Sequence, residues 1–129
     1  YTSKNVLDIL KKMEDRVIYN TYDEIKVRQQ KNFQQELNTA LDFIKNDAFG
    51  IEIDLDSLPN IASSAMTLSG FSIEEVRQFV YFFGKHKNAS YLHICEGAPE
   101  LGEEKNNHLI GKLIGYLVTD FIKSRKDII

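Results

Sequence analysis

The sequence predicts an α/β fold, a parallel sheet with flanking helices. Two observations carry that prediction. Short runs rich in branched and aromatic residues alternate with longer runs of helical period, and the intervening helices are long enough to return the chain for a right-handed, parallel crossover. The order read along the chain is helix, strand, helix, strand, helix, strand, helix.

In residues 4–14, "KNVLDILKKME", Val6, Leu7, Leu10 and Met13 recur at helical spacing behind Ser3, a candidate cap. "RVIYNTY", residues 16–22, has the composition of a short strand. The polar "YDEIKVRQQK" that overlaps its end reads as a solvated connection. Residues 31–45 place Phe33, Leu37, Leu41 and Ile44 on one face of a second helix. "FGIEIDLDSLPN", residues 49–60, alternates Ile51, Ile53 and Leu55 with Glu52, Asp54 and Asp56, the pattern of a strand with three carboxylates on one side. In "SGFSIEEVRQFVYFFGK", Ser72 and Glu75 form a capping box and Val76, Phe79, Val80 and Phe83 form an apolar stripe. Gly84 stands where a C-terminal glycine belongs. "SYLHIC", residues 90–95, is the third strand, and an apolar pattern from about 106 to 125 is the last helix.

At 129 residues the chain has the length of one domain, and 43% hydrophobic with 27% charged residues describes an ordered one. Sixteen basic against nineteen acidic residues, a formal net charge of −3, give no broad cationic field for nucleic acid or an anionic membrane. The single cysteine, Cys95, forms no internal disulfide, and with neither a signal peptide nor a long apolar span the expected location is cytoplasmic.

In open parallel sheets, ligands bind beyond the carboxyl ends of the strands. Two predicted strands end there in carboxylates, one in Asp54 and Asp56, the other in Glu96 of "HICEGAPEL". Side chains two apart in a strand leave the same side about 7 Å apart at Cα, and a hard cation such as Mn²⁺, Mg²⁺ or Ca²⁺ relieves their mutual repulsion. The acidic, solvent-facing side of an edge strand also accounts for the alternation, and by itself accounts for it better. The aperiodic stretch "DLDSLPNIASSAMTLSGFS" beyond the pair is the kind of loop that builds sites beside strand ends. His93 reads as a packed or inter-strand residue, His86 as a loop residue, His108 as part of the last helix's first turn, and Cys95 as a small buried hydrophobe.

"FGIEIDLDSL", "ASSAMTLSGFSIEEV" and "YLHICEGAPEL" together resemble the C-terminal part of the ureohydrolase family of arginase, agmatinase and formimidoylglutamase, most nearly the bacterial formimidoylglutamase-like enzymes. The resemblance spans roughly residues 20–125. It implies the C-terminal portion of a three-layer α/β/α arginase-like fold with a binuclear Mn²⁺ centre at the carboxyl edge of the sheet. Asp54 and Asp56 match the D-x-D pair that ligates the metals, Asp54 bridging both ions, and Glu96 matches a glutamate that accepts hydrogen bonds from the substrate's guanidinium or formimino nitrogens. The implied catalytic residues are Asp54 and Glu96. The implied reaction is hydrolysis of a linear amidine or guanidine, such as formimidoylglutamate, by water activated between the ions.

Departures narrow the resemblance. Pro59 and Asn60 stand where the family has a third aspartate and a proline, and "TLSGF" replaces T-P-x-P-G-G, leaving Thr67 and Gly70 in register. The family's early histidine motif and its D-x-H-x-D motif are absent from these residues. With no initiating methionine and a thin sheet, the expectation is a single partial domain over residues 1–129, the C-terminal piece of a longer enzyme. Alone it should be catalytically silent and bind Mn²⁺ weakly. The expected partner is a small-molecule substrate rather than nucleic acid or membrane, and the resemblance extends to self-association of the parent enzyme. Two other classes fit parts of the pattern. A Mg²⁺-binding topoisomerase-primase domain also pairs a D-x-D strand end with a glutamate, although there the glutamate strand comes first. A non-catalytic interaction module would merely turn its acidic strand to water.

Overall fold

A computed structural model describes residues 4–13, 15–102 and 107–128 and divides the chain into two compact units, Tyr1–Ala40 and Leu41–Ile129. Ser3 and the first residue of the predicted last helix, Asn106, lie outside the described residues.

In the first unit, helix α1 covers Lys4–Lys12 and exposes Val6 and Ile9. The predicted strand over 16–22 does not form. The chain is irregular there and enters a π-helical turn at Asp23–Val27. The reason is local. Thr21 and Glu24 make a reciprocal cap, Glu24 N donating to Thr21 Oγ1 at 3.2 Å and Thr21 N to Glu24 Oε2 at 3.0 Å, which draws the backbone out of the extended region. Those bonds from Thr21 hold the Glu24 carboxyl below its usual range. Helix α2, Phe33–Ile44, starts where Asn32 Oδ1 accepts from Gln35 N at 3.1 Å.

The second unit carries the sheet. Strands β1, Phe49–Asp54, and β2, Ala89–Cys95, pair in parallel, in register from Gly50↔Tyr91 to Asp54↔Cys95. Among the described residues two strands form where three were expected, because the first candidate was lost to the Thr21 cap. Between the strands lies helix α3, Ile73–Gly84, and beyond them helix α4, Asn107–Ser124. Both helices pack against the sheet and against each other. Ile51, Ile53 and Leu55 meet this layer's core, which contains Val76, Val80, Phe83, Ile110, Leu113 and Leu117, all buried. Each of these side chains contributes about 1.5–3 kcal/mol by burial before conformational entropy is subtracted. The opposite face carries Glu52, Asp54, Tyr91 and His93, all exposed.

Helix α3 begins at the predicted capping box, with Ser72 N donating to Glu75 Oε2 at 2.9 Å and Glu75 N to Ser72 Oγ at 3.2 Å. Its end differs from expectation. Gly84 is the last helical residue and has no positive φ. It is a close-approach residue, since a Cβ there would lie 2.1 Å from Ser124 Oγ. Arg125 Nη1 closes the helix instead, donating to the carbonyls of Gly84 at 2.7 Å and His86 at 2.9 Å. A second tie joins the two helices: Arg77 meets the buried Asp120 through two bonds, Nε–Oδ2 at 2.6 Å and Nη2–Oδ1 at 3.2 Å, with its guanidinium over the Tyr116 ring. No helix among the described residues is long and apolar enough to cross a membrane.

Candidate active site

Because β1 and β2 are parallel neighbours, their carboxyl ends share one rim. Asp54 closes β1 opposite Cys95, and Glu96 follows one residue later, so the structure brings Asp54 and Glu96 to adjacent strand ends. Asp56 is placed differently from the reading of the sequence. The strand stops at Asp54, and Leu55–Ser57 wind into a 3₁₀ turn. Asp54 caps that turn, its Oδ1 accepting from Asp56 N at 2.9 Å, and Ser57 Oγ donates to Asp54 O at 2.7 Å. An Asp that can bond the amide two residues on competes with the strand ladder, and here it wins.

The turn half-buries Asp56 and leaves its Oδ1 enclosed with no hydrogen-bond partner among the described residues. Such an orphaned oxygen costs about 1–3 kcal/mol, more when charged, unless a cation or donor meets it. Asp54 spends one oxygen on the cap. Hard carboxylate oxygens of this kind suit Mn²⁺ or Mg²⁺, so the donors present fit two ligands of a divalent centre. Among the described residues no group of three or more His, Cys, Asp or Glu is arranged to hold a metal ion.

The loop after the turn folds back over the same rim. Asn60 N donates to Thr67 O at 2.9 Å and Phe71 N to Ser57 O at 3.0 Å. Gly70 lies so close to the Ser57 carbonyl that a Cβ would be 2.2 Å from its oxygen. Asn60, at φ 61°, makes the left-handed bend that follows Pro59. Within this loop Leu68 is 88% exposed, and Met66 is exposed as well.

Cys95 is half-buried rather than fully enclosed, and its Sγ lies 3.7 Å from Ile53 O. Burial first, then the charges of Asp54, Glu96, Glu52 and Asp56, pushes the thiol up. The four carboxylates add to the effect of burial on this one sulfur. With its thiolate disfavoured, Cys95 should react with iodoacetamide at pH 8 more slowly than free cysteine, and Asp54→Asn should raise the rate. A wild-type rate equal to that of free cysteine would contradict this electrostatic arrangement.

The histidines take no part in the rim. His93 is exposed, not packed, and is an inter-strand residue opposite Glu52, with Nδ1 3.8 Å from Oε2. Tyr91 OH donates to Glu52 Oε1 at 3.3 Å, and the Tyr91 ring covers Gly50. This Glu52 group was not evident from the sequence, because it depends on strand register across about forty residues. His86 lies in the turn after α3, its Nδ1 accepting from Asn88 N at 3.2 Å, and His108 is exposed in the first turn of α4.

The chain has the fold of the arginase superfamily, in part. It superposes on formimidoylglutamase from Bacillus subtilis with a TM-score of 0.81 and 19% identity, over 98% of this chain and 38% of that one. Arginase from the same organism gives a TM-score of 0.72 and 19% identity over 92% of this chain and 39% of that one. Trypanosoma cruzi formiminoglutamase, solved with Mn²⁺, gives 0.64 and 17% over 78% and 34%. The chain thus spans about a third to two fifths of the length of these structures. No protein-family model matches the chain. No curated protein matches it either.

Proposed function

We propose that the chain is the C-terminal part of a single arginase-like domain in a Mn²⁺-dependent ureohydrolase that hydrolyses a C–N bond of a linear amidine or guanidine, with formimidoylglutamate as the leading candidate. The observation that carries this reading is the enclosed Asp56 Oδ1, unpartnered among the described residues, beside Asp54 at a rim shared with Glu96. An acidic strand merely facing water would leave that oxygen hydrated.

In this reading Asp54 and Asp56 would be ligands of the Mn²⁺ ions. The ions, when bound, supply an activated water and polarise the C=N group. Glu96 accepts N–H bonds from the planar cationic end of the substrate and fixes its carbon over the aspartates; charge-assisted bonds of this type are about twice as strong as neutral ones. Among the described residues Glu96 forms no ion pair, which leaves its charge available to a cationic ligand. The substrate is a small molecule, not nucleic acid or a membrane surface, the setting is the cytoplasm, and the parent enzyme self-associates.

The test is an assay of the full-length protein with Mn²⁺ on arginine, agmatine and N-formimidoyl-glutamate, following urea or formamide release. Turnover of one of them, lost on chelation and in Asp54→Asn, is expected. Failure to turn over any of the three would remove the reading. The chain 1–129 alone is expected to be inactive.

A further inference from the structure

Glu96 leaves β2 at φ 64°, in the left-handed region that a residue with a Cβ enters only at a cost. Three contacts keep this segment in place. Ser64 Oγ donates to Glu96 Oε2 at 3.3 Å. Ala98 N donates to Ala62 O at 2.9 Å. Gly97 is seated so closely that a Cβ on it would stand 3.0 Å from Leu55 Cδ1 and 3.1 Å from Ile110 Cγ2. The loop after β1 is thereby joined to the segment after β2. Two of these contacts fix the backbone, while the Ser64 bond acts on the Glu96 carboxylate itself.

From this we infer that Ser64 is a positioning residue, orienting the Glu96 carboxylate toward the rim so that its second oxygen, Oε1, faces an incoming planar cation of the amidinium or guanidinium class. The inference rests on the reading of Glu96 as the group that grips such a cation. Glutamate has three rotatable side-chain bonds, and fixing them on ligand binding costs entropy that a pre-formed bond removes in advance. The 3₁₀ turn of Leu55–Ser57 contributes through Leu55, fully buried beneath Gly97, so the element that positions Asp56 also supports the Glu96 segment. Ser64 touches no reacting atom in this scheme.

The experiment titrates guanidinium ion, well below denaturing concentrations, into the metal-free, ¹⁵N-labelled protein and follows the amides of Gly97 and Ala98. Wild type should show a saturable shift that Glu96→Gln abolishes. Ser64→Ala should weaken the apparent affinity about two- to tenfold, the range expected for one hydrogen bond, with the rest of the spectrum unchanged. Ser64→Thr, which keeps the hydroxyl, should bind within about twofold of wild type. Equal affinity in Ser64→Ala and wild type would overturn the role of Ser64 while leaving that of Glu96 intact. Equal weakening by Ala and Thr would assign the effect to packing and likewise overturn it. Absence of any saturable shift in wild type would remove the role of Glu96 and the inference with it.

Discussion

Replacing Asp56 by asparagine is expected to stabilise the metal-free protein while weakening its hold on Mn²⁺. In the wild type, one Asp56 oxygen is enclosed without a hydrogen-bond donor among the described residues, and Asp54 and Glu96 stand at the same rim. The amide keeps the shape and still leaves a polar atom in the enclosed position, but a neutral one costs less to enclose than a charged one, so the midpoint of urea unfolding in EDTA should rise, by about 1 kcal/mol of stability. With Mn²⁺ the order reverses. A ligand that binds the native state stabilises it in proportion to the logarithm of its concentration over Kd, and the variant should lose most of that gain. Its affinity should fall by at least about 10- to 100-fold, the cost of removing even an outer-shell partner from a metal site. Hydrolysis by the full-length protein should fall with it. A solvent-facing aspartate with no metal role predicts a neutral substitution in both conditions, within about 0.5 kcal/mol. An unchanged Mn²⁺ response would therefore sink the assignment of Asp56.

What could be seen in the sequence was whatever short-range pattern decides. The capping box of Ser72 and Glu75 states its own geometry within four residues, and helix α3 begins there. The alternation of Ile51 and Ile53 with Glu52 and Asp54 gives both the strand and its buried face, because the pleat has period two. Where two local signals competed, propensity was a poor arbiter. Val17, Ile18, Tyr19 and Tyr22 favour a strand, but Thr21-x-x-Glu24 is itself a cap, and its bonds set the backbone. The same rule ends β1 early: Asp54 bonds the Asp56 amide, so the D-x-D pair flanks a turn and its two carboxylates have unequal surroundings. Contacts such as Arg77 with Asp120, or Glu52 with His93, join residues about forty positions apart and depend on helix rotation and strand register. The carboxylate positions were legible; the buried oxygen of Asp56 and the tie from Ser64 to Glu96 required the fold.

Gly84→Ala provides the second large effect, and its sign separates two explanations of the same residue. In an ordinary helical site the exchange gains about 0.8–1 kcal/mol, because glycine gives up the most backbone freedom on folding. At a left-handed C-terminal position it would lose stability through φ instead, but Gly84 has no positive φ. What forbids a side chain here is α4: an added Cβ would lie 2.1 Å from Ser124 Oγ, 3.1 Å from Ser124 Cβ and 3.2 Å from Phe121 Cδ2. Ser124 is fully buried and its hydroxyl already donates to Phe121 O at 2.6 Å, so turning it away breaks a bond in an enclosed space. Separating the helices instead would strain the Arg125 cap on the Gly84 carbonyl. Overpacking of this kind costs about 1–3 kcal/mol, enough to reverse the helical gain, and should appear as a lower urea midpoint with an unchanged m-value. The control is the same substitution in a Ser124→Ala background, where the 2.1 Å contact is gone and only contacts beyond 3 Å remain. There Gly84→Ala should cost much less than in the parent, a coupling of about 1–2 kcal/mol between residues on facing helices. Additive effects of the two substitutions would mean that Gly84 is retained for a reason other than the close approach of α4.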